Sequence, residues 1–416
     1  MFREINKRDT SILIGNILDH FDTSIYSFLA PILAPIFFPK YDPIVQLILA
    51  YSILATSLVT RPLGAFVFGI LAKKYGPVIC LSYSLIGVAI TTVLIGLIPE
   101  YAAIGWFSTF ALIAVRMIKG LFAAGESTIA KLYIMEGKIS KDAFRSSYLY
   151  QGSTVVGIIL ASLASTVIFH YKDYPSLWRL CFLLGGTVGV AGYLLRKYAD
   201  SNNIIHSLED YKISSLRSLA INWKVVLIIA VTTGMSHVTY YIPFVVMNNI
   251  VPLVTSITLE EMMAINTILL VFDVVAIYVL GRLLVNINFQ KIIFVAAIIL
   301  AVSLPIMFSM IDGANILYIS FVRIWIVLWG VVFLCPLNLY YKKLVESSNN
   351  QYFIVGMSGA LGTATIGRIT PALSLWLWHT TNKTVTIGLY VGTIALLVVF
   401  LMMATPSLKK EMIKND

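Results

Sequence analysis

Charge is what this chain has least of. Only 12% of its 416 residues are Asp, Glu, Lys or Arg, while 59% are hydrophobic and the mean hydropathy is +0.88. A surface facing water on all sides needs more polar side chains than that, so a soluble globular protein is excluded. Cysteine is scarce as well. Cys80, Cys181 and Cys335 fall in three separate apolar runs with no metal-ligand spacing, which argues against a disulfide framework or a zinc site and leaves packing as their expected role. There is no GxxxxGK[ST] motif and no Ser/His/Asp or metal-ligand constellation, so neither an ATP-driven pump nor an enzyme is expected. No short repeat or low-complexity segment interrupts the chain.

What is abundant is long apolar runs. A helix needs about 20 residues to cross roughly 30 Å of hydrocarbon, and runs of that length occur at 10–38, 44–71, 76–99, 103–131, 147–170, 177–198, 223–248, 260–284, 289–310, 315–342, 351–378 and 384–404. Backbone in lipid must satisfy its own hydrogen bonds, and these runs are far too long for barrel strands, so an all-α membrane protein of twelve transmembrane helices is expected. The segment from Met1 to Ile12 is short and charged, and the run that follows is too long and too polar for a cleaved signal peptide.

The 30 Lys and Arg are distributed unevenly. With the N-terminus inside, 20 fall on the inner side, four (Lys40, Lys172, Arg179, Lys383) on the outer side, and six (Arg61, Arg116, Lys119, Lys131, Arg323, Arg368) within spans. That asymmetry predicts both termini in the cytoplasm. It also accounts for most of the net charge of +10, which then speaks for an anionic leaflet of the lipid bilayer and not for nucleic acid. A polar stretch separates two sets of six runs, so the expected organisation is an N-terminal half (1–198), a cytoplasmic linker (199–222), amphipathic in places and suited to a short interfacial helix, and a C-terminal half (223–416). This is the plan of transporters whose halves rock about a central site.

Within the spans, ionisable residues form stripes. Asn16, Asp19, Asp22 and Tyr26 share one face of the first helix, with Asp19 about 13 Å deep. Two acids at that depth cost about 2.5–3.5 kcal/mol each unless compensated, which favours a functional role over a structural pairing. Arg116, Lys119, Ala123 and Glu126 make a matching stripe on the fourth helix. The second half adds His237 and Tyr240, Asp273, Arg323 and Arg368. Arg323 is expected to be the best substrate contact there; Asp273 could equally pair with Arg323 or Arg368 as a clamp, and His237 could equally be a packing histidine or a proton relay. The 12% aromatic content is explained by interfacial belts and cavity lining, with no aromatic cage apparent. Glycines around Gly120 and Gly157, and from Gly356 to Gly367, are expected at close helix contacts.

The order of several motifs resembles the metabolite:proton symporters of the major facilitator superfamily, the group that includes proline/betaine and dicarboxylate transporters. GNILDHFDTSIYSFLAPILAPIFFP is similar to GNxxExFDFxxYGxxAPxxAxxFFP, TRPLGAFVFG to RPLGxxxFG, and RMIKGLFAAGESTIAKLYIME to RxxQGxxxGGExxxAxxYxxE. RSSYLYQGSTVVG, WRLCFLLGG and GALGTATIGRITP resemble the fifth-, sixth- and eleventh-helix patterns. Nearly the whole chain is covered. Two departures stand out: Lys119 replaces the glutamine of RxxQG, and the loop after Gly69 reads Lys73, Lys74, Tyr75, Gly76, Pro77 and lacks the acidic residue that in the superfamily latches the halves on the inner side.

The resemblance implies a multi-pass transporter of the bacterial inner (cytoplasmic) membrane. No cofactor beyond a proton gradient is implied, the partner is a small molecule, and a monomer is expected. Asp19, Asp22 and Glu126 would carry coupling. Asn16, Tyr26, Arg116, Lys119, Gln151, His237, Tyr240, Asp273, Arg323 and Arg368 would line the substrate site, and Arg61, Gly69, Lys73, Lys74, Gly76, Glu136 and Arg145 would serve gating. Buried cations outnumber acids, so the expected cargo is a small organic anion moving with a proton, with substrate as the favoured partner of Lys119 and Asp22 as the other. A proline/betaine-type osmolyte symporter, or an exporter or uniporter of a polycarboxylate such as a siderophore, is the alternative. A receptor or sensor on the same scaffold would be expected to carry an added soluble domain.

Overall fold

The structure, a computed structural model, describes residues 7–75, 77–135, 138, 140–171, 176–186, 219–346, 348 and 351–404. All regular structure among them is helical. The first helix, α1 (Lys7–Phe37), runs for 31 residues and tolerates Pro31 and Pro35 near its end. Asp42 caps α2 (Pro43–Ala55), its carboxylate accepting from the Ile44 and Val45 amides at 2.9 and 3.2 Å, with Pro43 preset for the first turn. α3 (Ser57–Tyr75) continues after a break at Thr56, and α4 (Pro77–Leu97) follows. The short α5 (Tyr101–Ile104) meets α6 (Trp106–Tyr133) at Gly105, whose φ of +58° suits glycine. Then come α7 (Ser140–His170) and a helical stretch over 178–186.

In the second part α8 (Trp223–Tyr241) passes through a π-turn (Ile242–Val246) into α9 (Met247–Val254). Pro243 lies in that turn and has no N–H to offer, so the hydrogen-bond ladder widens there. A Thr258–Glu261 capping box starts α10 (Leu259–Leu284), followed by α11 (Phe289–Phe308) and α12 (Ile316–Leu334). α12 breaks at Cys335–Pro336 before α13 (Leu337–Leu344). A second π-turn (Thr363–Gly367) separates α14 (Gln351–Gly362) from α15 (Thr370–Thr381), and α16 (Val385–Ala404) ends the described chain.

Nine helical stretches among the described residues are long and apolar enough to cross a membrane. Each expected span other than the sixth coincides with a helix or an interrupted helical run. Two extend further than expected: α7 starts at Ser140 because Ala143 and Phe144 continue its buried face, and the seventh run reaches Val254. The remainder of the sixth span and residues 199–218 of the linker lie outside the described residues.

Apolar side chains of these runs point outward in large numbers, among them Phe107, Ile268 and Leu317, as a lipid-facing surface requires. The hydrophobic effect cannot drive helices together in lipid, so close backbone approach must. α1 lies along α7, α3 and α4 against α6, α10 against α7, α8 against α14, and α11 against α16. At Gly157 a Cβ would strike the Ile17 carbonyl of α1, and at Gly362 it would strike the Ala230 backbone of α8. The expectation that these glycines mark close helix contacts holds.

Candidate functional site

The α1 stripe is buried and faces inward. Asn16 uses its amide to hold α1 on α7, donating to the Tyr150 carbonyl at 3.1 Å and to the Ser153 and Thr154 hydroxyls at 2.8 Å each. Its donors are therefore spent on packing and not free for a substrate. Asp22, 2% exposed, forms an ion pair with the Lys119 ammonium and accepts from the Thr92 hydroxyl at 2.6 Å. The structure thus corrects the expected order of partners for Lys119: Asp22 meets it within the protein. The reason is geometric, since α1 and α6 turn positions 22 and 119 toward each other, a pairing that their 97-residue separation hides in the sequence.

Asp19, at 3% exposure, is placed differently. No Lys or Arg lies within ion-pair distance of it among the described residues; the His20 Nδ1 is 3.9 Å from its Oδ2, and its Oδ1 accepts no hydrogen bond. Around it, in electrostatic range, stand Arg61, Arg368, Lys119 and Asp22. Arg61 was expected at a gate, yet it sits in this central cluster, because RPLG falls midway along the α2–α3 run and not at its end. Arg116 stacks its guanidinium on the Tyr26 ring, 3.8 Å from the centroid, while the Tyr26 hydroxyl donates to the Ala50 carbonyl at 2.9 Å. Arg61 and Arg116 are 5% and 7% exposed, and Arg61 Nε and Arg116 Nη2 have no acceptor. Buried guanidinium donors without acceptors are costly and fit a carboxylate arriving from outside.

Three aromatic side chains of the α8 segment join the cluster. The rings of Tyr240 and Tyr241 lie 5.2 Å apart and those of Tyr240 and Phe244 5.5 Å apart, while Tyr240 donates to the Ser24 hydroxyl of α1 at 3.4 Å. Tyr51 on α2 donates to the Ser27 carbonyl and accepts from the Asn249 amide, both at 3.0 Å. An aromatic grouping thus exists where the sequence suggested none. Its members come from α1, α2 and the run of α8 into its π-turn, so local spacing reveals only the part that lies on that run. His237 meets the Thr363 hydroxyl at 3.0 Å, beside the second π-turn, and Lys131, Arg61 and Arg368 are within its electrostatic range.

Other expected residues lie elsewhere. Arg323 does not reach the cluster: it donates to Asn266 at 2.5 Å and to the Met262 carbonyl at 3.5 Å, bracing α12 on α10. Neither Arg323 nor Arg368 pairs with Asp273. Gln151 is buried on α7, and Arg145 is half-buried near its start. Gly69 on α3 faces the Phe353 ring. The side chains of Glu126, Lys73 and Lys74, and residues Gly76 and Glu136, lie outside the described residues.

At the end of the bundle that holds the α6–α7 turn, contacts run between distant parts of the chain. Lys138 pairs with Asp9 and donates to Ser146, both at 2.7 Å. Lys342, from α13, donates to the Met135 and Lys138 carbonyls at 3.2 and 3.4 Å, and Ser147 donates to the Cys335 carbonyl at 3.2 Å. Sequence reasoning counted Lys342 and Lys131 only as charges and passed over His20, Tyr51 and Tyr241. For Tyr241 and Phe244, their i+4 spacing from His237 and Tyr240 was the available signal.

The sequence matches the Major Facilitator Superfamily over residues 12–367. It is 34% identical over 198 residues to the proline/betaine transporter of Salmonella typhimurium, and 36% identical over 197 residues to the glycine betaine/proline/ectoine/pipecolic acid transporter OusA of Dickeya dadantii. Each match covers 46% of this chain and 39% of the relative, so the chain spans well under half the length of these curated relatives. The fold is similar to that of the xylose transporter XylE from E. coli in a partially occluded inward-open conformation. There the TM-score is 0.69 at 13% identity, over 96% of this chain and 99% of the other.

Proposed function

The chain belongs to the Major Facilitator Superfamily, and from that premise we propose that it is a proton-coupled secondary transporter of a small carboxylate-bearing solute, of the proline/betaine kind named for its relatives. The observation that carries this reading is the pair of buried guanidiniums whose donors find no acceptor, Arg61 Nε and Arg116 Nη2. Arg61, Arg116 and Arg368 would receive the carboxylate. Asp19, in range of Arg61 and Arg368 without a Lys or Arg ion pair, would carry the proton: when the substrate carboxylate draws those two arginines, less positive charge bears on Asp19 and protonation becomes easier. Asp22–Lys119 is a neutral pair that would stiffen the site. Tyr240, Tyr241 and Phe244 would offer ring faces to an ammonium group.

The same reading takes residues 1–198 and 223–416 as two rocking halves, with the termini in the cytoplasm, in a bacterial inner membrane. Lys342 and Lys138 would then close the inner face, doing the work of the acidic residue missing from the loop after Gly69. A second reading, an organic anion as cargo, is supported by the charge count. Outside the Asp22–Lys119 pair, the cluster among the described residues holds three guanidiniums, Arg61 and Arg368 in range of Asp19 and Arg116 in range of Arg368, against the one further carboxylate of Asp19.

Proteoliposomes with an imposed proton gradient test the proposal, using radiolabelled glycine betaine, proline and succinate. Accumulation of at least one, abolished by a protonophore, is expected. Asp19→Asn should abolish gradient-driven accumulation yet retain exchange, since the amide mimics the protonated acid. No uptake of any of the three, or full accumulation by Asp19→Asn, would count against the reading.

A further inference from the structure

Asp273 stands apart from every cation in the described part of the chain. It lies midway along α10 and is 7% exposed, and no ion pair or hydrogen bond from a described residue reaches its carboxylate. The two arginines that could clamp it are occupied or elsewhere: Arg323 is turned to Asn266 two turns earlier on the same helix, and Arg368 stands near Asp19. A bare carboxylate in the membrane interior is costly. Something from outside the protein must offset that cost, either a proton or a cationic group.

The surroundings favour a cationic group. Tyr240 is in electrostatic range of Asp273, and its neighbour Tyr241, 5.2 Å away between ring centroids, is in range of Arg61 and Arg116. The adjacent rings of Tyr240 and Tyr241 are thus within range of opposite charges, Asp273 for the one and the Arg61 and Arg116 guanidiniums for the other. A small zwitterion fits that order, with its carboxylate on the guanidiniums and its cationic end over the Tyr240 face toward Asp273. A dicarboxylate would bring its second negative charge to the pole that already holds one.

We propose, resting on the transport reading above, that Asp273 is the specificity-determining residue of this site, the counter-ion for the cationic group of a zwitterionic solute. It sorts betaine-like solutes from anions of the same shape by charge, adding a formal negative charge to the attraction of the ring faces for the cationic group.

Two probes of nearly identical shape isolate that charge: glycine betaine, and 3,3-dimethylbutanoate, in which a carbon replaces the quaternary nitrogen. Binding of each to the full-length purified protein would be measured by thermal shift and by competition. The wild type should prefer glycine betaine. Asp273→Asn should weaken glycine betaine by about tenfold or more while 3,3-dimethylbutanoate binds as well or better, and Asp273→Glu should restore part of the preference. Retained 3,3-dimethylbutanoate binding shows that the variant is folded. Equal loss of both probes, or unchanged glycine betaine affinity with loss of proton-driven uptake alone, overturns the assignment and leaves the transport reading standing. Failure of the wild type to bind either probe overturns the assignment, while the transport reading then stands or falls on the uptake of proline and succinate.

Discussion

Lys119 and Asp22 show how a single contact changes the meaning of a residue. An ammonium buried in the bundle has to be compensated, and the choice between substrate and carboxylate decides whether the lysine serves selectivity or stability. The ion pair with Asp22, backed by Thr92, assigns it to stability. Removing one partner of a buried pair strands the other charge at a cost of about 3–5 kcal/mol, whereas removing both is far less costly. Lys119→Gln alone should therefore lower the thermal unfolding temperature in detergent markedly, and adding Asp22→Asn should recover much of the loss. A double variant no more stable than the single one would show that the two residues do not act as a pair.

At the scale of the helix, the apolar runs gave away nearly every element, because 20 or so residues without water-seeking side chains have one stable conformation in lipid. The π-turns at Ile242–Val246 and Thr363–Gly367 were not legible: Pro243 announces a disturbance, but not whether the ladder kinks, breaks or widens. Tertiary placement was legible only in part. The Asp19 stripe could be read from i+3 and i+4 spacing, while the placement of Arg61 within electrostatic range of Asp19, and the turning of Arg323 to Asn266, depend on which helices touch. Glycine offers a direct test of those contacts. Gly157→Val would drive a side chain into the Ile17 backbone, and Gly362→Leu into that of Ala230; each should cost at least about 1–3 kcal/mol and reduce the monodisperse yield by size-exclusion chromatography. Gly152→Ala, with open space around its Cβ position, should leave the yield unchanged.

For the whole molecule, transport requires that the contacts at the two ends of the bundle do not open together. Both ends are tied here. Near the site, Tyr51 and Asn249 link α2 to the α8–α9 run, and at the other end Lys342 donates to the Met135 and Lys138 carbonyls just beyond α6. Lysine suits that position, since its ammonium has three donors to share between the two carbonyls, and the Met135 carbonyl lies just past the negative end of the α6 dipole. A charge-assisted hydrogen bond is worth about 1.5–3 kcal/mol, and a shift of 1.4 kcal/mol changes an equilibrium about tenfold. Lys342→Gln should therefore raise the population open at that end by about tenfold or more. Met357, packed between α3 and α6 against Ala65 and Ala124, reports the opening: a cysteine placed there, with Cys80, Cys181 and Cys335 replaced by serine, should react correspondingly faster with a water-soluble maleimide in the Lys342→Gln background. Equal labelling rates with and without the lysine would mean that this end is held by the Ser147–Cys335 contact and helix packing instead.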